Sequence, residues 1–378
     1  MKILLTGGGT GGHFYPLIAV AEEINKIMKE EKLLPVQLYY MSDSPHDPNM
    51  LLENNIEFIK ISAGKMRRYF SILNVFDFFR TISGVISALV KIFDLYPDVI
   101  FSKGAYSSFP VLVAAKLLRI PLFIHESDSV PGRTNLWAGK FAKRIAVSYP
   151  EATRFFDQSK VAFTGNPIRS NIELPQTKTN ARQFLNLKED IPTVLILGGS
   201  LGARIINEHI LDILPQLVEK YYVIHQTGKN NIKEVTGIAD VVLANSQNKD
   251  RYRPFDYLDN LNMSMTSGAS DLVISRAGSA IFEIASWGLP SIIIPITDSN
   301  GDHQRKNAYY YSRTSGGSII IEEANLSPNI LLSEINRLID NKELLKKMAD
   351  GAKGFIKTDA AKIIAKEVLN LGLKHDNN

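Results

Sequence analysis

The chain has 378 residues, more than one hydrophobic core usually holds, and its 45% hydrophobic and 22% charged residues are those of a globular protein, so two domains are expected. It contains no cysteine, which excludes disulfides and thiolate metal sites and fits a reducing compartment. A net charge of +4 is compatible with an anionic membrane surface or phosphorylated substrates and does not demand nucleic acid.

Lys2-Ile3-Leu4-Leu5 reads as a short buried strand. Thr6-Gly7-Gly8-Gly9-Thr10-Gly11-Gly12-His13 follows, and then Phe14 to Ile24 carry apolar residues at helical spacing, with Pro16 tolerated in the first turn. A strand, a glycine-dense turn and a helix put unpaired N–H groups at a positive helix end, a geometry that receives phosphate. The loop also satisfies G-x-G-x-x-G through Gly7, Gly9 and Gly12, and Asp43 could supply the ribose acid of a dinucleotide site. A tight turn with no ligand is the plainest alternative. His13 separates this loop from an ordinary dinucleotide loop: the positive helix end disfavours imidazolium, so the ring stays neutral and able to accept a proton. The first apolar run is too short for a signal peptide, and no stretch reaches the roughly 18 apolar residues of a membrane span.

Strands are expected at 2–6, 36–41, 56–61, 98–101, 121–124, 144–147 and 160–163, with helical patterns between them. Such alternation predicts a parallel sheet covered on both faces, its ligand crevice beyond the carboxyl ends of the strands. Residues 65–93 stand out. Lys65, Arg67, Arg68 and Arg80 accompany Met66, Tyr69, Phe70, Ile72, Leu73, Val75, Phe76, Phe78 and Phe79, a pattern that fits either a core-packing helix or an apolar patch docking on an anionic bilayer. Two strand-end loops, Ser102 to Ser108 with Tyr106 and His125-Glu126-Ser127-Asp128 leading to Asn135, hold convergent polar groups of the kind found in sites.

Thr164-Gly165-Asn166-Pro167 breaks the pattern, giving a first domain of 1–163. Thr193 to Leu197 then repeats the opening, a strand leading into Gly198-Gly199-Ser200-Leu201-Gly202-Ala203-Arg204 and a helix. Further strands are expected near 221–225, 241–243, 271–275, 290–294 and 317–321, in a second domain of 164–345. Arg276-Ala277-Gly278-Ser279 is a second turn whose amides could hold phosphate. Glu283, one turn into the next helix, suits a ribose diol, with a helix-dipole charge as its alternative role. Asp298 to Gln304, with His303, and Asn307 open another helix, and three helical patterns, 327–340, 342–357 and 359–372, close the chain.

With these motifs in order, the chain resembles the MurG family of peptidoglycan N-acetylglucosaminyltransferases over nearly its full length. The resemblance rests on Gly7 to Pro16, Thr164 to Arg169, Gly198 to Arg204, Ser275 to Glu283, and Asp302-His303-Gln304 with Asn307-Ala308. It implies an α/β GT-B architecture of two Rossmann-like, doubly wound parallel-sheet domains facing across a cleft, with residues 346–378 packing back toward the first. It implies His13 as the catalytic base and Thr10, Gly11, Gly12, Tyr106, Glu126, Asp128 and Asn135 on the acceptor. For the UDP-sugar donor it implies Thr10, Gly12, Asn135, Arg169, Ser200, Arg276, Gly278, Ser279, Glu283, His303 and Gln304, with Phe255 near the nucleotide. The implied partners are UDP-N-acetylglucosamine, a lipid-linked muramyl-pentapeptide and an anionic membrane surface at the cytoplasmic face, with no nucleic acid.

The sequence departs from the family where His-Glu-Gln-Asn becomes His125-Glu126-Ser127-Asp128 and where Leu201 replaces a glutamine. No Asp-x-Asp lies in a ligand-like turn, so neither a metal nor another cofactor is expected. A sugar-nucleotide epimerase, a diacylglycerol glycosyltransferase, an NAD(P)-dependent oxidoreductase and a non-catalytic nucleotide-sugar binder are the competing functions.

Overall fold

The computed structural model describes the chain apart from Gly9, Leu33, residues 65–72, Ser200, Leu201, Asp298, Asn377 and Asn378. Contacts divide it into one unit of Met1–Arg169 with Lys357–Asn378 and a second of Ser170–Ile356. Each is a parallel α/β sheet.

In the first unit the chain alternates β1 (Lys2–Thr6), α1 (Gly11–Glu30), β2 (Gln37–Ser42), α2 (Pro48–Glu53), β3 (Ile56–Lys60), α3 (Leu73–Leu95), β4 (Val99–Ser102), α4 (Phe109–Leu118), β5 (Leu122–Glu126), α5 (Arg133–Gly139), β6 (Arg144–Val147) and β7 (Val161–Phe163). The seven strands are parallel in the order β3-β2-β1-β4-β5-β6-β7. Chain order reverses between β1 and β4, so the loops after β1, β4 and β5 sit side by side at the carboxyl edge, where open sheets bind ligands. Continuous apolar strands such as Leu122-Phe123-Ile124 follow from burial on both faces. Leu5, Phe14 and Leu17 fill one face, and Ile92, Val111 and Leu112 the other.

The second unit runs α6 (Ser170–Glu173), α7 (Lys178–Phe184), β8 (Thr193–Leu197), α8 (Arg204–Lys220), β9 (Tyr222–Gln226), α9 (Ile232–Val242), β10 (Tyr252–Phe255), α10 (Asn260–Ala269), β11 (Leu272–Ser275), α11 (Ala280–Trp287), β12 (Ser291–Ile293), α12 (His303–Ser315), β13 (Ser318–Ile320), α13 (Pro328–Asp340) and α14 (Lys342–Phe355). Its order, β10-β9-β8-β11-β12-β13, has the same reversal, here between β8 and β11. The strand expected at 241–243 is instead the end of α9. The strand lies at β10, whose Tyr-Arg-Pro-Phe lacks a strand-like run and contains Pro254, tolerated because β10 is an edge strand.

The closing stretch divides. Helix α14 packs on α11, α12 and α13 of the second unit, whereas α15 (Ala360–Asp376) packs on α1 and sends Ile364, Ala365, Val368 and Leu369 into the first unit's core.

Helix α3 answers the question left open for residues 65–93 in part. Gly84, Ala88 and Ile92 form its buried face, and a Cβ at Gly84 would lie 1.8 Å from the Ser62 carbonyl oxygen. On the opposite face Phe76, Phe79, Ile86, Val90 and Phe93 are between 58% and 69% exposed, far above what a core-packing role leaves in water. Lys65, Met66, Arg67, Arg68, Tyr69, Phe70 and Ile72 lie outside the described residues, as do the side chains of Leu73 and Val75.

Candidate functional site

In the first unit the site residues come from three neighbouring strand ends. After β1 the chain turns through glycines because side chains already crowd the turn: a Cβ at Gly8 would lie 2.7 Å from Ser42 Oγ and 2.8 Å from Ser107 Oγ. Thr10 is the N-cap of α1 in extended backbone and places no side-chain cap on it. His13 N and Phe14 N already donate to the Thr10 carbonyl at 3.1 and 3.2 Å, so the Gly11 and Gly12 amides ahead of them are the donors this helix end offers to solvent or an anion. His13 stands in that turn with Nδ1 3.2 Å from the Lys103 carbonyl oxygen. A carbonyl only accepts, so Nδ1 carries a proton, and Nε2 is the nitrogen that is basic whenever the ring holds a single proton.

The β4 loop supplies Lys103 and Tyr106. Tyr106 donates its hydroxyl to Asp43 Oδ2 at 2.9 Å, and Ser42 Oγ donates to the other oxygen at 3.2 Å. Burial and then the Asp43 carboxylate push the Tyr106 phenol up to about 12, so it remains a donor at neutral pH. Asp43 is thereby engaged inside the unit, and the ribose role that a dinucleotide site would give it has no support in this arrangement. Among the described residues the buried Ser107 Oγ has no hydrogen-bond partner.

The β5 loop is organised by Glu126. Its buried carboxylate accepts from Asp128 N at 2.9 Å, Gly132 N at 3.0 Å and Asn135 Nδ2 at 3.0 Å. Burial and the nearby Asp128 raise its pKa, while those three donors oppose the rise. Asn135 is buried too, with Nδ2 also reaching the His125 carbonyl at 3.2 Å and Oδ1 without a partner among the described residues. Glu126 and Asn135 thus shape the loop, and Asp128, half-buried, is the more accessible carboxylate. Arg169, expected on the donor side, falls in the first unit, where its guanidinium lies over the Tyr15 ring, 3.9 Å from the centroid.

In the second unit the loops after β8, β11 and β12 are neighbours. Gly202 takes φ 78°, and a Cβ there would lie 2.3 Å from the Thr227 carbonyl oxygen, so the β8 turn requires glycine. Ser200, expected to bind the donor, and Leu201 lie outside the described residues. Beyond β11, Arg276 donates to the Ile294 carbonyl at 3.1 Å and pairs with Glu323. Gly278 and Ser279 then lead into α11, with open space beside Gly278, no side-chain cap from Ser279 and Glu283 in the first turn. Asn307 Nδ2 donates to the Ala277 carbonyl at 3.2 Å, fastening α12 to this turn. His303 and Gln304 open α12. Gln304 Oε1 accepts from Ile296 N at 3.2 Å, which leaves its amide nitrogen as the end that can turn to a ligand. Phe255 ends β10, half-exposed.

Two charged residues with no role in the sequence reading emerge here, Lys103 and Glu323. A lysine in a strand-end loop and a glutamate in a short helical turn both read as solvated, and neither burial nor partner is written in the local pattern.

The profile of the glycosyltransferase family 28 N-terminal domain matches residues 3–147, and that of the family's C-terminal domain matches residues 193–364. A UDP-N-acetylglucosamine--N-acetylmuramyl-(pentapeptide) pyrophosphoryl-undecaprenol N-acetylglucosamine transferase of Clostridium perfringens is 36% identical over 345 residues, 90% of this chain and 91% of the relative. The enzyme of that name numbered 2 in Bacillus cereus is 36% identical over 348 residues, 91% and 93% of the two chains. Among solved structures, Acinetobacter baumannii MurG is similar with a TM-score of 0.69 at 22% identity, covering 98% of this chain and 99% of its own. A putative UDP-N-acetylglucosamine 2-epimerase from Listeria monocytogenes gives the same TM-score at 16% identity, covering 96% and 94%. These structural likenesses carry the two-domain GT-B fold, which transferases and epimerases share. With both domain profiles matched and relatives 36% identical across nearly the whole chain, the protein belongs to glycosyltransferase family 28.

Proposed function

We propose that the protein moves N-acetylglucosamine from UDP-N-acetylglucosamine to the 4-hydroxyl of the muramyl sugar in undecaprenyl-pyrophosphoryl-muramyl-pentapeptide, inverting the anomeric carbon. The curated relatives bear the name of this transfer. The observation that carries the reading to particular atoms is His13, whose Nδ1–H is held by the Lys103 carbonyl so that Nε2 is the proton acceptor beside the first turn of α1.

In this proposal the first unit binds the acceptor and the second the donor. The acceptor hydroxyl loses its proton to His13 Nε2 as its oxygen bonds to the anomeric carbon. The bond from that carbon to the diphosphate oxygen breaks, and UDP leaves with the electron pair. The growing diphosphate charge is met by Arg276 and the amides at the heads of α11 and α12, and Glu283 accepts from the ribose hydroxyls. Thr10, Gly11 and Gly12 serve the anionic part of the acceptor, flanked by Tyr106 and Asp128. Family membership sets aside the oxidoreductase that G-x-G-x-x-G spacing permits.

No described helix is long and apolar enough to cross a membrane. The exposed face of α3 supports attachment by insertion of Phe76, Phe79, Ile86, Val90 and Phe93 into the headgroup boundary, which this reading puts at the cytoplasmic side. The decisive experiment incubates the protein with UDP-N-acetylglucosamine labelled in the sugar and a lipid-linked muramyl-pentapeptide. Label should enter the lipid fraction with one UDP released per sugar transferred. Conversion of the donor to its 2-epimer, or binding without transfer, would overturn the reading.

A further inference from the structure

Lys103 is 1% exposed, although it follows β4 in a loop where a lysine would ordinarily reach water. It is held at both ends. Its N–H donates to the Thr6 carbonyl at 2.9 Å and its own carbonyl accepts from His13 Nδ1. Its amine reaches His125 Nδ1 at 2.5 Å and Ser127 Oγ at 2.7 Å. His125 Nε2 lies 3.0 Å from the Gly165 carbonyl oxygen, which only accepts, so Nε2 carries the ring proton and Nδ1 accepts from Lys103. The amine therefore donates to His125 in the β5 loop, and His13 donates to the backbone of the same residue.

Burial brings the Lys103 amine down to about 7, against the opposing pull of Glu126 and Asp128, and burial with the Lys103 charge holds His125 well below its ordinary value. Apolar residues of similar volume in place of the amine and its two partners would fill this space without desolvating a cation. A lysine kept in such a place is more readily explained by what it holds than by stability.

We propose that Lys103 is a positioning residue for the transfer reaction: its side chain ties the β5 loop to the β4 loop, and its carbonyl holds His13 Nδ1 at one tautomer and one angle. The proposal rests on His13 being the base, and its test separates the two ideas.

The test is a cycle of Lys103→Met and His13→Ala, singly and together, in the labelled transfer assay, with UDP titration and urea unfolding of each variant. Lys103→Met should stay folded without urea but unfold at a somewhat lower urea concentration, because buried His125 Nδ1 loses its donor; it should bind UDP as wild type does, keep its KM for the donor, and lose about 10- to 100-fold in kcat, the scale of a misplaced reacting group. In the His13→Ala background the same substitution should cost less than about threefold, because residues that act as a unit do not add. Equal losses in both backgrounds, or a Lys103→Met enzyme with wild-type kcat, would overturn the positioning role and leave the base untouched. A fully active His13→Ala enzyme would overturn the base and the proposal together. Should Lys103→Met fail to fold, Ser127→Ala removes one partner of the amine, and the same cycle decides: a loss confined to the His13 background supports the role, and an additive loss overturns it.

Discussion

Arg276 and Glu323 form an ion pair in the second unit with only 13% and 14% of their side chains exposed, and Arg276 adds a bond to the Ile294 carbonyl. Burial lowers the Arg276 pKa while Glu323 counters it. The pair pins the turn after β11 that the proposed mechanism aims at the diphosphate. Glu323→Ala should lower unfolding stability by about 1–3 kcal/mol, the range for losing a charged hydrogen-bond partner, and weaken UDP binding as the guanidinium drifts. Urea unfolding and UDP titration measure the two effects. Lost stability with unchanged UDP affinity would put Arg276 outside the donor site.

Glu283→Ala is expected to weaken UDP-sugar binding by roughly 1.5–3 kcal/mol, since a carboxylate accepts charge-assisted bonds from hydroxyls. A deoxyribose donor should lose less additional affinity in this variant than in wild type. If calorimetry finds equal penalties in both proteins, Glu283 does not touch the ribose.

His225 is buried between Asn207 Oδ1, 3.0 Å from Nε2, and the Tyr252 hydroxyl, 2.9 Å from Nδ1, and burial pulls it down to about 3. The unfolded chain takes up this proton near pH 6.5 and the folded one does not, so the native state loses ground as pH falls from about 6.5 toward 3. Stability should decline by at most roughly 1.4 kcal/mol per pH unit on this account. His225→Gln should flatten the decline between pH 7 and 5 even if it lowers stability at neutrality. An identical pH slope in the variant would assign acid sensitivity to other groups.

Ala105 has φ 72° and ψ 171°, a region open essentially to glycine. The strain is on the order of 1–3 kcal/mol, and the extra freedom of an unfolded glycine returns about 0.5–1 kcal/mol of that. Ala105→Gly should therefore stabilise the protein by about 1 kcal/mol, seen as a higher urea midpoint at unchanged slope. A lower midpoint would mean that the methyl contacts outweigh the strain.

Phe76, Phe79 and Phe93 share the exposed face of α3, so changing all three to serine should leave folding intact. It should lower partitioning onto phosphatidylglycerol vesicles by more than about tenfold, because each inserted ring contributes about 1.5–3 kcal/mol. Co-sedimentation that is the same for both proteins would remove this face from membrane attachment.

The two sheets and their glycine turns were legible because buried parallel strands write continuous apolar runs, as in Thr193 to Leu197, and punctuate them with glycine. Pro254 hid β10, since an edge strand need not be apolar on both faces. His13 was visible from its place after the glycines. Its tautomer was not, because the deciding acceptor is the carbonyl of Lys103, 90 residues away. Glu126 and Asn135 looked like ligand-binding groups, and only coordinates reveal that they bond each other and the backbone between them.

Helix α15 also has a bearing on how the protein is made. The first unit's core includes Ile364, Ala365, Val368 and Leu369, which leave the ribosome long after β7. At ordinary elongation rates the wait is roughly 10–40 s. During synthesis the nascent N-terminal sheet stands with an uncovered apolar face against α1, while the second unit, Ser170–Ile356, has its whole sequence in hand earlier. The half of the chain that is translated first is therefore the half whose core is completed last.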